Sequence, residues 1–306
     1  MNDYAKTIKD IFQKNKLPNI DNIEEIKSGK VNKIFSVNDK FVIKFALQPG
    51  RGFDKEAIVL DQIKGIPLAP LIAVEEKYII QEKLKGTNMA YVWPELNDIE
   101  KENLFSQLVE IFKIMHSHHY PVYGDLINKE NQFSTWRQCF GKHFQDATNC
   151  AVKSGFVSNE IIEKIKNYYQ NNIHVLDDEI LKPSFCHTDL IFSNILVDNG
   201  KISGILDFDL SLSAPFDFEF EIPLSFFKLP QFFMPDNVKN KYQKPLTECF
   251  VWLKKYYSEI YQIKNITKRL DLYSVAGNMF MIYLCDIFGY DNSMKQSILQ
   301  NLLSTL

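Results

Sequence analysis

The chain has 306 residues, 45% of them apolar and 24% charged, which is the composition of a folded globular protein and excludes a disordered one. Its formal net charge of −3 provides no basic surface, so we do not expect nucleic acid as a partner. Five cysteines, odd in number and without a Cys-x-x-Cys pair, favour neither a disulfide framework nor a zinc site and predict a protein of the reducing cytoplasm.

The first 85 residues predict a small, β-rich part. Apolar residues recur at helical spacing near the N-terminus and again before Gly65, whereas short apolar runs separated by polar turns indicate strands. In chain order we predict a helix over 1–17, a hairpin of 34–37 and 41–45, a helix over 55–63, a strand pair of 71–74 and 78–81, and a linker over 82–86.

From residue 86 to residue 306 the pattern is mainly helical. Long amphipathic segments cover 99–119 and 158–170, and helical stretches with polar breaks fill 238–306. Only 190–197 and 201–206 are predicted as strands in this part. The longest apolar tract, 275–290, is interrupted by Asn278 and Asp286, and the N-terminus has no apolar signal core, so we expect neither membrane spanning nor secretion.

Two features of the N-terminal part suit a phosphate group. Lys44 ends an apolar strand, where its stem can follow the sheet while its ammonium reaches a phosphate, and Glu56, twelve residues later, can hold that ammonium in place. The turn with Ser28, Gly29 and Asn32 contains one glycine that lets the backbone approach phosphates. The alternatives are a solvated surface lysine and a plain turn.

The segments 186–197 and 204–209 carry the strongest chemical signal. Asp189 and Asn194 keep the separation of the H-R-D-L-x-x-x-N catalytic loop, with Thr188 in place of the arginine. Asp189 can orient a hydroxyl and take its proton, and the oxygens of Asn194 and Asp207 are donors that Mg²⁺ prefers. The alternative interpretation is that His187 is a core histidine and Asp189 a turn cap.

Further acidic side chains follow Asp207. Asp209 replaces the glycine of a D-F-G triplet, and it is either a second metal ligand or a solvated loop acid. Protein kinases have a long activation segment ending in A-P-E here, and because this sequence lacks one, we expect a small hydroxylated acceptor and not a peptide. If the acceptor is cationic, acids such as Asp209, Asp217 and Glu219 would steer it, unless they are ordinary solvated acids.

These motifs resemble those of the aminoglycoside phosphotransferase and choline kinase-like superfamily over about residues 26–227. The runs 133–137 and 198–202 are most similar to hygromycin-type phosphotransferases. The resemblance implies an α+β, bilobal protein-kinase-like fold. In such a fold 1–85 is a small antiparallel β-sheet lobe with one key helix, and 86–306 is a larger, mainly helical lobe. It also implies Mg²⁺ and ATP or GTP as the phosphate donor.

The resemblance assigns roles to individual residues. It makes Asp189 the catalytic aspartate, and it makes Asn194 and Asp207 metal ligands. It makes Lys44 the phosphate lysine and Glu56 its partner. It also places Gln81, Glu82 and Leu84 in the adenine-contacting hinge, which acts through the backbone of Glu82 and Leu84. The D-P-x-x-D element of the superfamily reads differently here. An ungapped count gives its final acidic position to Glu219, with Asp217 as the competitor.

The sequence therefore predicts a cytoplasmic O-phosphotransferase that acts on an alcohol group and is a monomer or a weak dimer. An aminoglycoside-type antibiotic is the leading acceptor class, which would make the protein an antibiotic-resistance enzyme. One alternative is a kinase of a choline-like or sugar metabolite. The other is a catalytically dead pseudokinase scaffold, against which the presence of Lys44, Asp189 and Asp207 argues.

Overall fold

The computed structural model describes residues 2–26, 32–47, 52–177 and 181–306. Contacts divide the chain into two compact units, each discontinuous in sequence. The first unit combines Met1–Met89 with Asn194–Asp209, and the second combines Ala90–Ser193 with Leu210–Leu306.

Both units contain helices and strands, numbered here in chain order. The strands are β1 Ile23–Ile26, β2 Asn32–Val37, β3 Phe41–Ala46, β4 Leu71–Glu75, β5 Tyr78–Glu82, β6 Thr87–Asn88, β7 Tyr123–Asp125, β8 Gln132–Phe133, β9 Ser184–Cys186, β10 Ile195–Asp198, β11 Lys201–Ile205 and β12 Leu212–Ala214. The α-helices are α1 Asn2–Lys14, α2 Asp54–Gln62, α3 Met89–Val92, α4 Asp98–His116, α5 Trp136–Ser154, α6 Asn159–Asn172, α7 Glu221–Lys228, α8 Thr247–Tyr256, α9 Ile266–Phe288 and α10 Asn292–Leu303.

An antiparallel sheet of five strands forms most of the first unit, with the spatial order β1–β2–β3–β5–β4. The predicted hairpin is β2–β3. Asn38 and Asp39 turn it with φ of 54° each, a conformation that short polar side chains tolerate better than most others. The predicted strand pair is β4–β5, whose register shifts once between Leu71 and Ala73.

The two faces of this sheet have different coverings. On one face, strand residues such as Ile43 and Ile80 pack with α1 in a buried apolar cluster. Because successive strand residues point to opposite faces, Lys44 and Gln81 lie on the other face. There they meet Glu56 of α2, which brings a carboxylate into an otherwise apolar helix face.

A three-stranded sheet in the order β11–β10–β6 completes the first unit. Its strand β6 directly follows the linker, and Gly86 allows this approach. Gly86 has a φ of 124°, and a Cβ there would lie 2.5 Å from Ser203 Oγ and 2.8 Å from the Val197 carbonyl oxygen. Only glycine fits this position without moving the hairpin β10–β11.

Helices form most of the second unit, where α5 packs along α9 and α10 packs against α9. Helix α4 begins with a capping box between Asn97 and Glu100, which satisfies two backbone donors at its start. A small antiparallel sheet in the order β8–β7–β12–β9 joins these helices. In the described part of the chain, no helix is both long enough and apolar enough to span a bilayer.

The structure differs from the sequence-based expectation in several places, and helix α5 and strand β1 are among the elements that were not predicted. The hairpin β10–β11 was predicted within the helical part, but it belongs to the first unit because β10 pairs with β6. Strand β10 also begins at Ile195 and not at residue 190, since Phe192–Asn194 form a turn of 3₁₀ helix. The strands of the small sheet have two or three residues each and were not predicted, because so few residues show no periodicity.

Candidate active site

Lys44 and Glu56 form a buried ion pair in the first unit, as predicted. The Lys44 Nζ and Glu56 Oε1 atoms are 2.5 Å apart, and 12% and 3% of the two side chains are exposed. Burial alone would lower the pKa of Lys44, but the negative charges of Glu56, Asp207 and Asp209 outweigh burial and raise that pKa. The ammonium therefore stays charged at neutral pH, with Asp207 and Asp209 near enough to act on it.

The predicted phosphate-binding turn of this unit lies only partly within the described residues. Ser28 and Gly29 lie outside the described residues. Asn32 begins β2, and its Oδ1 atom is buried without a hydrogen-bond partner in the described structure. A buried amide oxygen without a partner is unusual and costly, which agrees with a position that meets a ligand. Its contact with nucleotide stays a prediction.

The predicted hinge begins within β5, because Gln81 and Glu82 are the last two residues of that strand. The Glu82 N–H donates to the Pro70 carbonyl at 2.9 Å, so its backbone donor is already used within the unit. The Gln81 side chain is 4% exposed and donates from Nε2 to Glu56 Oε1 at 2.8 Å. Gln81 thus meets the buried ion pair, while purine contacts through the backbone of Glu82 and Leu84 stay a prediction.

Asn194 and Asp207 are adjacent in the first unit. Asn194 directly precedes β10, Asp207 closely follows β11, and these two strands pair with each other. The Leu206 N–H donates to the Asn194 carbonyl at 2.9 Å, and both predicted metal ligands are half-buried. Asp207 has a φ of 65°, a left-handed conformation that costs on the order of 1–3 kcal/mol and clusters at functional sites. Amide and carboxylate oxygens are hard donors, so these residues fit Mg²⁺.

The loop with Asp189 follows β9 in the second unit, and Glu219 fixes its backbone. Glu219 Oε2 accepts the His187 N–H at 2.7 Å, and Oε1 accepts the Thr188 N–H at 3.1 Å. Thr188 has a φ of 62°, and its hydroxyl donates to the Leu210 carbonyl at 2.8 Å. Three hydrogen bonds therefore hold the two residues that precede Asp189.

His187 supports the same loop from inside. It is fully buried, and its Nδ1 atom accepts the Asp189 N–H at 3.3 Å. The acceptor role of Nδ1 assigns the ring proton to Nε2. His187 is thus a core histidine, as in the alternative interpretation of this loop, and Asp189 is left half-buried.

Asp217 and Glu219 are both fully buried, which contradicts the expectation that they contact the acceptor. They lie in the 3₁₀ turn Phe216–Phe220, which packs inside the second unit. Asp217 accepts from Arg269 Nε at 2.6 Å and from Arg269 Nη2 at 3.1 Å, and the Tyr273 hydroxyl donates to it at 3.2 Å. A carboxylate with such partners is structural.

Glu219→Gln should weaken the hydrogen bonds that hold the backbone of the loop before Asp189. An amide offers one acceptor and one donor, so one of the N–H groups of His187 and Thr188 loses its acceptor at a cost of about 1–3 kcal/mol. We expect kcat to fall at least tenfold, with a smaller effect on the KM for nucleotide. Glu221→Gln is the matched control, because that buried acid contacts His143 instead of the loop. Equal kcat values for the two variants would contradict this role.

One further group of metal-ligand side chains occurs among the described residues. His116, Cys186 and Glu219 have ligand atoms within 4.8 Å of one another, and all three are buried. Burial, together with the charges of Glu219 and Asp217, raises the pKa of Cys186 well above its usual range, so the sulfur stays a thiol. Both Glu219 oxygens already accept hydrogen bonds from the loop backbone, so we assign this group a structural role.

No sequence motif indicates Arg269, although it is the buried partner of Asp217. It stands in α9, is fully buried, and also donates from Nη1 to the Val175 carbonyl at 3.0 Å. The chain contains only three arginines, and this one lies within an apolar helix. That combination signals a buried arginine with a carboxylate partner, but it does not reveal which of many acids is the partner.

The fold and the groups described above are those of a protein-kinase-like phosphotransferase. The sequence pattern of the phosphotransferase enzyme family matches residues 22–231, which is more than half of the chain. The chain therefore belongs to the phosphotransferase enzyme family, as the motifs predicted. No curated protein matches it by sequence.

Solved structures with similar folds include several aminoglycoside phosphotransferases. The ADP-bound aminoglycoside phosphotransferase APH(2'')-Ib is 17% identical, with a TM-score of 0.69 over 98% of this chain and 97% of that chain. A thermostable mutant of APH(4)-Ia, in a ternary complex with AMP-PNP and hygromycin B, is 14% identical, with a TM-score of 0.69 over 98% of both chains. The putative fructosamine-3-kinase of Thermobifida fusca YX-ER1 is 13% identical, with a TM-score of 0.67 over 94% of this chain and 92% of that chain. Such identities show a shared fold alone.

Proposed function

We propose that this phosphotransferase moves the γ-phosphate of ATP or GTP to a hydroxyl group of a small molecule. The observation that carries the proposal is the buried Lys44–Glu56 pair. The negative charges of Asp207 and Asp209 also raise the pKa of the Lys44 ammonium. A lysine held by a helix carboxylate, beside acids that can bind Mg²⁺, is the arrangement that positions nucleotide phosphates in kinases.

The proposed roles of the individual residues are as follows. In the first unit, Lys44 binds the phosphates, and Asn194 and Asp207 hold Mg²⁺, with Asp209 as a further acid near Lys44. When bound, the ion neutralises charge on the phosphate oxygens. In the second unit, Asp189 orients the acceptor hydroxyl. Its oxygen bonds to the γ-phosphorus, the bond from that phosphorus to the bridging oxygen breaks, the nucleoside diphosphate leaves, and the proton passes to Asp189.

An aminoglycoside-type antibiotic is the acceptor class that we propose first. Several aminoglycoside phosphotransferases are among the proteins of similar fold, and the sequence motifs resemble the hygromycin type. A sugar or choline-like metabolite is the second candidate, because a putative fructosamine kinase shares the fold to the same degree. A pseudokinase is disfavoured, since Lys44, Asp189, Asn194 and Asp207 are all present.

Phosphate transfer to a panel of acceptors tests the proposal. Purified protein with Mg-ATP or Mg-GTP is incubated with aminoglycosides, hygromycin B, choline, sugars and fructosamines, and diphosphate release is measured beside Asp189→Ala. We expect release with at least one acceptor and none above background with the variant. Transfer to metabolites alone would move the assignment to the second candidate, whereas equal rates for wild type and variant with every acceptor would refute phosphotransfer to this panel.

A further inference from the structure

Gln81 is the one polar side chain of β5 that is buried against the Lys44–Glu56 pair in the described structure. It is 4% exposed and pairs in register with Val42, two residues before Lys44 on β3. Side chains of Val42, Lys44 and Gln81 therefore share one face of the sheet, opposite the apolar cluster under α1. A glutamine here needs a partner, because an unpaired buried amide is costly.

The partner is the carboxylate of Glu56. Its Oε1 atom accepts both the Lys44 ammonium, at 2.5 Å, and the Gln81 amide Nε2, at 2.8 Å. One oxygen thus receives a charged donor from β3 and a neutral donor from β5. The two donors differ in one respect that matters for function. The lysine is the group that a nucleotide phosphate would attract, while the glutamine carries no charge for a phosphate to attract.

In the part of the chain that the structure describes, Lys44 and Gln81 both donate hydrogen bonds to Glu56 of helix α2. The helix has nine residues, its N-cap is Phe53, and no side chain caps its first turn. Its buried residues are Glu56, Val59 and Leu60, so apolar contacts fix the helix surface but leave the carboxylate free to rotate. A hydrogen bond from a strand amide to a charged group removes that freedom.

We infer that Gln81 is a positioning residue that keeps Glu56 aimed at Lys44 and so holds the lysine ready for nucleotide phosphates. The inference rests on the proposed function, because it assumes that Lys44 binds phosphate. Gln81 acts through Glu56 and need not touch the nucleotide. Without the Gln81 amide, Lys44 would be the remaining donor of the two described here to Glu56 Oε1. The Glu56 carboxylate would then lose its fixed orientation whenever Lys44 bound a phosphate.

Binding of Mg-ADP to the full chain, measured by titration calorimetry, tests the inference without an acceptor. Gln81→Leu keeps the size of the side chain and removes the donor. We expect it to raise the Kd for Mg-ADP roughly tenfold, the equivalent of one hydrogen bond to a charged group. Ile80→Val is the matched control: Ile80 is a buried neighbour on the opposite face of β5, so its truncation weakens packing and should leave the Kd unchanged.

A double-variant cycle shows whether Gln81 acts through Glu56. In a Glu56→Leu background, Gln81→Leu should cause no further rise in the Kd, because its partner is already absent. A further rise of the same size would overturn the inference, since it would mean a direct nucleotide contact. So would an unchanged Kd for Gln81→Leu in the wild-type background, with or without a lower unfolding midpoint. If the wild type itself did not bind Mg-ADP, the proposed function would fail first.

Discussion

Asp189→Asn should reduce phosphate transfer by about 10²- to 10⁴-fold while leaving the KM for nucleotide nearly unchanged. The amide keeps the size of the side chain and can still contact a hydroxyl, but it cannot accept the proton that the acceptor loses. The backbone of the loop is held by Glu219 through the N–H groups of His187 and Thr188, so the substitution should not displace it. The rate is measured at saturating acceptor, as diphosphate release.

Asp198→Asn provides the control for this change. Asp198 is on β10, in the same stretch of chain, and its carboxylate accepts a hydrogen bond from the neighbouring Asn199 side chain. The same chemical substitution there should leave kcat within about twofold of the wild-type value, because surface changes away from the site have small effects. A rate for Asp189→Asn close to that of this control would remove Asp189 from the proposed mechanism.

The largest effect on stability is expected from Arg269→Met. This change leaves Asp217 as an uncompensated charge in the interior and should lower the free energy of unfolding by about 3–5 kcal/mol, because no water reaches that carboxylate. The Tyr273 hydroxyl would be its remaining polar partner among those described above. The measurement is the urea midpoint, followed by circular dichroism.

Two variants separate the charge effect from lost packing. Arg137→Met removes a second Arg–Asp pair, with Asp177, whose side chains are about half exposed, and it should hardly move the midpoint. Arg269→Met combined with Asp217→Leu replaces the buried pair by apolar side chains and should recover most of the lost stability. If the double variant were as unstable as Arg269→Met, the loss would be one of packing and not of charge.

The sequence predicted local features well. Apolar spacing and turn residues, which are signals within a few positions of one another in sequence, predicted four features of the first unit. These are the hairpin β2–β3, helices α1 and α2, and the strand pair β4–β5. The Lys44–Glu56 pair was predicted because the kinase arrangement fixes both chemistry and spacing. These are cases in which the information lies in a short stretch or in a known motif.

Other features depend on contacts between distant parts of the chain, which periodicity does not reveal. Asp217 and Glu219 looked like exposed loop acids, yet they are buried, since their partners are Arg269, 52 residues away, and the loop backbone at His187, 32 residues away. Gln81 was assigned to the hinge because its neighbours contact nucleotide in the superfamily. Its side chain instead meets Glu56, which no spacing rule indicates.

The membership of β10 and β11 in the first unit has a consequence for how the protein is made. The first unit is interrupted by Ala90–Ser193, so its second sheet lacks two of three strands until residues 194–209 have been synthesised. At typical elongation rates the intervening stretch of about a hundred residues takes roughly 5–20 s. During that delay β6 has no partner strand, and an unpaired strand is a site for wrong pairing. A slow ribosome would therefore lengthen the time for which β6 lacks its partner strands.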